Sequence, residues 1–242
     1  DRWHQGIHGY YYGVFWSGMP DWNLKNQDVI EFHKDNLRFW LDLGVDGFRF
    51  DAVGNLIENG AENWYGENAN HQINNTMRAL LEEEYSNKYL VCEDPGHPND
   101  AAQSNSCGSA FAFGLNTAIF NSIANNSAED IAPYFSDFNL DKMALLLSNH
   151  DAFAGTRPFN QLNGSEPHLK LAANLLMTLP GKPFIYYGEE IGMSAGDDLQ
   201  ADASLRVPMS WNSQGGFTTG SSFRTAAANK LEYNVEDEKY DS

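Results

Sequence analysis

Segments of helical pattern alternate with short extended segments along this chain, and that alternation constrains its fold most. Apolar residues recur at helical spacing over 27–43, Gly44 follows as a stop signal, and an extended pattern covers 45–51. The order repeats with apolar residues at helical spacing over 73–81 and an apolar run over 89–93. Such an order predicts parallel strands that are joined and covered by helices.

Three more strands and one more helix are predicted further along the chain. The strands cover 109–113, 144–148 and 183–187, and the helix covers about 166–177. The run 144–148 is almost wholly apolar, which is typical of a parallel strand covered on both faces. No glycine-rich phosphate loop follows any strand, and several strands end in polar or acidic residues. The pattern therefore favours a (β/α)8 barrel over an open doubly wound sheet.

The predicted strands are too few for a complete barrel, which needs eight. We therefore expect an α/β fold that is the C-terminal part of a (β/α)8 TIM barrel, about strands 4 to 8, with the N-terminal strands missing. Residues 1–18 are expected to be the end of an excursion after strand three. Residues 19–242 are expected to be a partial catalytic barrel with a truncated, loop-rich tail from about Val207.

The charge balance excludes one class of partner. The chain has 15 basic and 33 acidic residues, for a net charge of −18, so it lacks the basic face that binds nucleic acid. It also lacks an apolar run of about 18 residues, the length that spans a membrane. We expect neither nucleic-acid binding nor membrane insertion, and the sequence does not predict an oligomeric state.

The chain contains two cysteines, Cys92 and Cys107. Two cysteines do not make a disulfide framework, and their spacing is not that of a metal site. We therefore expect two isolated thiols.

Three carboxylates, Asp51, Glu93 and Asp151, each lie at the end of a predicted strand, so a barrel would gather them at one mouth. Such a cluster can bind a metal, move protons, or attack and protonate a sugar acetal. Arg49 shares a strand face with Asp51 and lowers the pKa expected for it, which favours an ionised nucleophile. Glu93 follows an apolar strand and needs a raised pKa to donate a proton. A purely stabilising ion pair is the alternative for Arg49 and Asp51.

Five ordered motifs resemble the α-amylase family of retaining glycoside hydrolases. They are M-P-D-W-N at 19–23, G-F-R-F-D-A-V at 47–53, Glu93, L-S-N-H-D at 147–151 and G-K-P-F-I-Y-Y-G-E-E-I-G-M at 181–193. The resemblance implies a catalytic (β/α)8 barrel. It also implies double-displacement cleavage of α-1,4-glucosidic bonds, with starch, maltodextrin or another α-glucan or malto-oligosaccharide as substrate.

The resemblance also implies a role for each matching residue. Asp51 is then the nucleophile that forms a glycosyl-enzyme, and Glu93 is the general acid and later the base, about 5 to 5.5 Å away. Asp151 binds the hydroxyls of the distorted sugar. Arg49 orients Asp51, and His150 donates a hydrogen bond that strengthens in the transition state.

The chain departs from the family shortly after the nucleophile. Many members have a Lys-His pair there that lines an acceptor subsite and helps to form a calcium site, whereas this chain has Gly54 and Asn55. We nevertheless expect Asn55 to be among the substrate-binding residues. The missing pair argues against calcium at this point, and no organic cofactor is implied.

The exact activity stays open at this stage. Ala52 after the nucleophile resembles members that cut α-1,4 bonds, and the M-P-D-W-N form resembles a group that mixes amylase, neopullulanase and cyclodextrinase activities. The alternatives are an α-glucosidase, including one specific for α-1,6 bonds, a transglycosylase of the same family, and a homologue that binds carbohydrate without catalysis. A polysaccharide substrate would imply an extracellular or periplasmic enzyme, and an oligosaccharide would allow a cytoplasmic one.

Overall fold

The computed structural model describes residues 2–60, 62–216 and 218–240. The chain divides into two compact units, Asp1–Phe111 and Ala112–Ser242. The proposed division at residue 18 stays a prediction, and the ends of both predicted segments, Asp1 and Ser242, lie outside the described residues.

The first unit begins with a hairpin and continues with parallel strands separated by helices. Its elements are β1 (Trp3–Gly6), β2 (Gly9–Tyr12), α1 (Gln27–Asp42), β3 (Gly47–Phe50), α2 (Asn68–Glu84), β4 (Tyr89–Cys92), α3 (Pro98–Ala101) and β5 (Ala110–Phe111). β1 and β2 pair in antiparallel fashion, whereas β3 pairs with β4 and β4 with β5 in parallel. The register sets Phe50 beside Cys92, so β3 and β4 end side by side.

The second unit also has parallel strands with a helical connection. Its elements are α4 (Leu115–Asn125), α5 (Tyr134–Asp137), β6 (Met143–Leu146), α6 (Pro158–Gln161), α7 (Glu166–Thr178), β7 (Lys182–Phe184), α8 (Asp202–Leu205) and α9 (Val235–Glu238). β6 and β7 are parallel, and Leu146 lies beside Phe184. Every residue of β6 is buried, as predicted for a strand covered on both faces. Among the described residues, no helix is both long and apolar enough to cross a membrane.

Helix α1 confirms the sequence prediction and shows why the helix has these ends. The Asn26 side chain accepts a hydrogen bond from the Asp28 N–H (2.9 Å) and so caps the first turn. At the other end Gly44 has a φ of 96°, a conformation that glycine adopts without the penalty of a side chain.

The β1–β2 hairpin and the short helices α3, α5, α6, α8 and α9 were not predicted from the sequence, and neither was the longer helix α4. The apolar positions Leu115, Ala118, Ile119 and Ile123 of α4 are buried and have the spacing of one helical face. Their pattern was therefore present in the sequence, although polar Asn and Thr residues interrupt it.

Strand β7 is shorter than predicted. It ends at Phe184, whereas the apolar pattern continues to residue 187. The Tyr186 N–H donates to the Glu189 carboxylate (3.0 Å), so at this point the backbone turns and bonds a side chain. A turn of this kind is not visible in apolar periodicity.

The cysteines correct a prediction, because they form a disulfide instead of two isolated thiols. Cys92 is the last residue of β4, and Cys107 precedes β5, with 6.2 Å between their Cα atoms. The parallel pairing of β4 with β5 brings the two cysteines within bonding reach although 15 positions separate them.

One face of α1 remains half exposed. Among the apolar residues of this helix, Leu41 is buried, whereas Trp40 is 51% exposed. Trp40 and Phe48 of β3 line a cavity of about 740 Å³ in the first unit. The apolar side chains of α1 thus border open space as well as packed core.

The segment from Val207, where the sequence predicts a loop-rich tail, contributes to a core. Val207 and Ala227 are buried with Ile191 and Met193 in one apolar cluster. The segment that follows β7 is therefore held to the second unit by packing.

The Glu189 carboxyl joins the ends of β6 and β7. The Ser148 hydroxyl donates to its Oε1 (2.6 Å), and the Tyr186 N–H donates to its Oε2 (3.0 Å). Burial raises the pKa of Glu189 to about 7, although these donors and the nearby Arg157 act in the opposite direction. Glu189 therefore titrates near neutral pH in the folded chain.

The titration of Glu189 predicts a pH-dependent stability. In the unfolded chain this carboxyl ionises near its ordinary pKa of 4.5, whereas in the folded chain it keeps its proton up to about pH 7. Wild type should therefore lose stability relative to Glu189→Gln as the pH rises between these values, by no more than roughly 3 kcal/mol, and the difference should be constant above pH 8. Urea unfolding of both proteins from pH 4.5 to 8 measures this difference in the free energy of unfolding.

The neighbouring exposed residue Glu190 supplies the matched control. Glu190→Gln should run parallel to wild type over the whole pH range. A Glu189→Gln variant that also runs parallel to wild type would contradict the raised pKa.

Candidate active site

The first candidate residues lie where β3 ends. Asp51 directly follows β3, and the guanidinium of Arg49 contacts its carboxylate. Both side chains point to the same side of the strand, because residues two apart share a face. The predicted pairing of Arg49 with Asp51 is therefore confirmed.

Glu93 lies at the end of the neighbouring strand and contacts the same arginine. Its Oε2 is 3.4 Å from the Nη2 atom of Arg49. The Glu93 side chain is 7% exposed, whereas that of Asp51 is 67% exposed. Burial raises the pKa of Glu93, while the Ala52 N–H and the Arg49 charge lower it. The two carboxyls thus share one cation and differ in their access to water.

The backbone turns directly after Asp51, at Ala52, which has a left-handed conformation and contacts Glu93. Ala52 has a φ of 46°, and its N–H donates to Glu93 Oε2 (2.8 Å). The Glu93 N–H donates to the Phe50 carbonyl (2.8 Å), and the Val53 N–H donates to the Glu93 carbonyl (3.0 Å). A left-handed alanine costs roughly 1 to 3 kcal/mol, and these hydrogen bonds hold it in place.

The M-P-D-W-N segment lies at the same cavity as Asp51. Asp21 and Trp22 line the 740 Å³ cavity together with Arg49 and Asp51. Asp21 accepts a hydrogen bond from the Val14 N–H (3.2 Å), and burial raises its pKa. Asp21 therefore anchors the chain that follows β2, and Trp22 remains exposed.

Asn55 also lines this cavity. Position 54, directly before it, has no room for a residue larger than glycine. A Cβ atom at position 54 would lie 2.5 Å from a ring carbon of Tyr65. Among residues 2–60, 62–216 and 218–240, no group of three or more His, Cys, Asp or Glu side chains is arranged to hold a metal ion. The argument against calcium at this point stays a prediction.

The loop that follows Glu93 is held by a tyrosine that the sequence analysis did not single out. The Tyr65 hydroxyl donates to Asp94 Oδ1 (2.5 Å) and accepts from the Gly96 N–H (2.9 Å). Asp94 is buried and also accepts from the His97 N–H (3.1 Å). The Glu-Asp-Pro-Gly-His order after β4 is the signal that could have indicated a tight acidic loop.

The remaining candidates, His150 and Asp151, lie in the second unit, in the loop after β6. His150 Nε2 is 3.1 Å from Asp151 Oδ2. The Asp151 N–H donates to Asn149 Oδ1 (2.8 Å), which tightens the turn. The structure thus brings Arg49, Asp51 and Glu93 together in the first unit, and His150 and Asp151 together in the second.

Arg206 is a further residue at this second group, and sequence reasoning missed it. Its Nη2 atom is 2.7 Å from Asp151 Oδ1 and 3.0 Å from Asp202 Oδ2, and its Nε donates to the His150 carbonyl (2.8 Å). The available sequence signal was weak: Arg206 is one of few cations in the chain, and the apolar Val207 follows it. The buried Arg157 donates to the carbonyl of Leu205 (2.7 Å) and so supports the segment that carries Arg206.

Comparison with known proteins identifies the family. The sequence profile of the alpha amylase catalytic domain matches residues 1–242. Alpha-amylase 3 of Dictyoglomus thermophilum is 35% identical over 221 residues, which cover 86% of this chain and 41% of that protein. Trehalose synthase/amylase TreS of Mycolicibacterium smegmatis is 30% identical over 244 residues, which cover 84% of this chain and 41% of that protein. The chain thus spans less than half the length of these curated relatives.

A solved structure agrees in fold over almost the whole chain. The crystal structure of the α-amylase from H. orenii is 31% identical and gives a TM-score of 0.79, covering 99% of this chain and 49% of that one. The predicted partial (β/α)8 barrel is confirmed by this match and by the parallel strands of both units. The chain belongs to the α-amylase family and represents part of its catalytic domain.

Proposed function

We propose that the chain is the catalytic part of a retaining glycoside hydrolase that cleaves α-1,4-glucosidic bonds in starch, maltodextrin or related oligosaccharides. The observation that supports this most strongly is one arginine between two carboxyls, of which Asp51 is exposed and Glu93 is buried. Retaining glycosidases need one carboxylate that attacks and one carboxylic acid that donates a proton. Carboxyls in different environments can divide these duties.

In the first step an Asp51 oxygen attacks the anomeric carbon and displaces the glycosidic oxygen. Glu93 gives its proton to that oxygen, so the sugar leaves as an alcohol. Burial supports this role, because it raises the pKa of Glu93 and keeps the proton on the carboxyl at higher pH. Arg49 contacts the Asp51 carboxylate and so orients it for the attack.

In the second step water replaces Asp51 on the sugar. The water oxygen attacks the anomeric carbon, and Glu93, now ionised, takes a proton from that water. The bond between the sugar and Asp51 breaks, which releases the Asp51 carboxylate. Two inversions at one carbon return the original configuration. The expected separation of about 5 to 5.5 Å between the carboxyls stays a prediction.

The other candidate residues are assigned to substrate binding. Asp151 and His150 bind sugar hydroxyls, and Arg206 orients the Asp151 carboxylate through its 2.7 Å contact. Asn55 borders the cavity that Asp51 lines and is placed on the acceptor side. An α-glucan or malto-oligosaccharide is the proposed substrate.

A transglycosylase is the second candidate. The relatives named trehalose synthase/amylase support it, since one of them is 30% identical to this chain. In that activity a sugar hydroxyl takes the place of water in the second step. The same Asp51 and Glu93 serve both reactions, so the products decide between them.

The proposed hydrolase is tested by the products formed from starch, maltotriose, maltose and isomaltose. We expect shorter malto-oligosaccharides from starch, with initial products of the α-configuration by NMR. Asp51→Asn should lower kcat by at least about 10³-fold, since it removes the nucleophile at nearly constant size. Asp197→Asn changes an exposed aspartate of the second unit and should leave kcat unchanged.

Each alternative has its own result in that assay. Turnover of isomaltose without turnover of starch would favour an α-glucosidase specific for α-1,6 bonds, and a new disaccharide from maltose would favour the transglycosylase. Sugar binding without turnover of any substrate would overturn the enzyme proposal. An Asp51→Asn variant as active as wild type would place the nucleophile elsewhere.

Glu93→Gln separates the acid role from simple loss of structure. We expect kcat/KM for maltotriose to fall by about 10² to 10⁴-fold, because its leaving oxygen needs a proton. A dinitrophenyl α-glycoside should lose less than about tenfold, because its leaving group departs as an anion. Steady-state kinetics on both substrates measure the difference. Glu83→Gln, at an exposed position on α2, is the control, and equal losses on both substrates would contradict the acid role.

A further inference from the structure

The Cys92–Cys107 disulfide lies directly beside the candidate acid. Cys92 is the residue before Glu93, and the disulfide joins it to the turn that leads into β5. Cys92 is 0% exposed and Cys107 is 2% exposed. The bond therefore lies in the interior of the first unit, next to the backbone that carries Glu93.

The disulfide closes the loop that contains Glu93. The chain leaves β4 at Cys92 and returns to lie beside it, where the Cys92 N–H donates to the Ser109 carbonyl (3.1 Å). The Ser109 hydroxyl in turn donates to the Leu90 carbonyl. Inside the loop the Cys107 N–H donates to the Ala101 carbonyl (3.0 Å). The covalent bond thus fixes both ends of a loop whose base is already hydrogen-bonded.

Glu93 is held from two sides, and the disulfide supplies one of them. On the β3 side the Phe50 carbonyl binds the Glu93 N–H at 2.8 Å, and the Ala52 N–H binds its carboxyl at 2.8 Å. On the β5 side the cross-link at the preceding residue restrains the backbone. Without that restraint the hydrogen bonds to β3 and those within the loop would have to keep the carboxyl buried.

We propose that the Cys92–Cys107 disulfide positions Glu93 for proton transfer by fixing the loop after β4. The proposal rests on the acid role proposed for Glu93. The disulfide itself touches no substrate and acts through the position and burial of the Glu93 carboxyl. Small displacements of a catalytic group are costly, since about 1 Å can lower a rate by about 10²-fold.

A disulfide that positions Glu93 and a disulfide that only stabilises the fold predict different kinetics. A bond that only stabilises the fold would affect all substrates alike at temperatures where the protein stays folded. A bond that positions the acid affects substrates whose leaving group needs a proton, and spares those whose leaving group does not. It also affects the pH profile, because a less buried Glu93 loses its proton at lower pH. Arg49 and Asp51 face Glu93 from β3, and Tyr65 and Asp94 lie on its loop side; all four remain in the variant.

The test is the double variant Cys92→Ala/Cys107→Ala, assayed well below its Tm with maltotriose and a dinitrophenyl α-glycoside. We expect kcat/KM for maltotriose to fall by about tenfold or more, and kcat/KM for the aryl glycoside to change by less than about threefold. The alkaline limb of the maltotriose profile should move to lower pH. Equal changes on both substrates with an unchanged pH profile would overturn the proposal.

Reduction of wild type gives the same test without a substitution. Dithiothreitol supplies two electrons and two protons, which open the disulfide to two thiols as the reagent becomes a cyclic disulfide. The chain has no other cysteines, so we expect the same split between substrates in reduced wild type and no effect of the reagent on the double variant. If the double variant does not fold, the reduction of wild type tests the proposal on its own. Reduced wild type with unchanged kinetics would overturn the proposal.

The oxidised wild type separates this proposal from the proposed function. If it turns over both substrates and breaking the bond changes neither kcat/KM nor the pH profile, the positioning role is wrong and the hydrolase stands. If the oxidised chain turns over no α-glucoside, the acid role of Glu93 is wrong, and the positioning role is overturned with it.

Discussion

The parallel register between β3 and β4 is the constraint on which the candidate site depends. It sets Phe50 beside Cys92, so the next residues, Asp51 and Glu93, leave neighbouring strand ends together. Arg49, one residue before the end of β3, then reaches both carboxyls. A slip of one residue would turn Arg49 and Asp51 to the opposite face, and the phenylalanines would replace them. A backbone hydrogen-bond pattern thus sets the electrostatics of the pair.

Solvent access differentiates two carboxyls that share one cation. Asp51 lies at the open cavity, whereas Glu93 is enclosed by the turn at Ala52 and by the loop that ends at Cys107. Burial disfavours the charged form of a carboxyl, so the enclosed group is suited to hold a proton and the open one to attack.

Patterns that are local in sequence predicted most of the fold, and tertiary contacts explain what they missed. The helix over 27–43, the strand with Arg49 and Asp51 on one face, and the buried run near 144–148 follow from periodicity and are present in the structure. Arg206 meets Asp151 across 55 positions, and Cys107 meets Cys92 only because β4 pairs with β5. No periodic signal in one sequence indicates such distant neighbours. The roles proposed for the carboxyls rest on their expected environments and on the ordered family motifs, because a strand pattern alone does not distinguish a catalytic pair from a structural one.

The central claim is that Asp51 forms a covalent bond with the sugar, and trapping that intermediate tests it most directly. A fluorinated α-glucosyl fluoride forms the glycosyl-enzyme faster than water removes it. Fluorine on the ring slows both steps, and the good fluoride leaving group restores the rate of the first step alone. Peptide mapping by mass spectrometry should find the sugar on the peptide that contains Asp51, and should find none in Asp51→Asn. A sugar attached to any other residue, or inactivation with no adduct at all, would contradict the account.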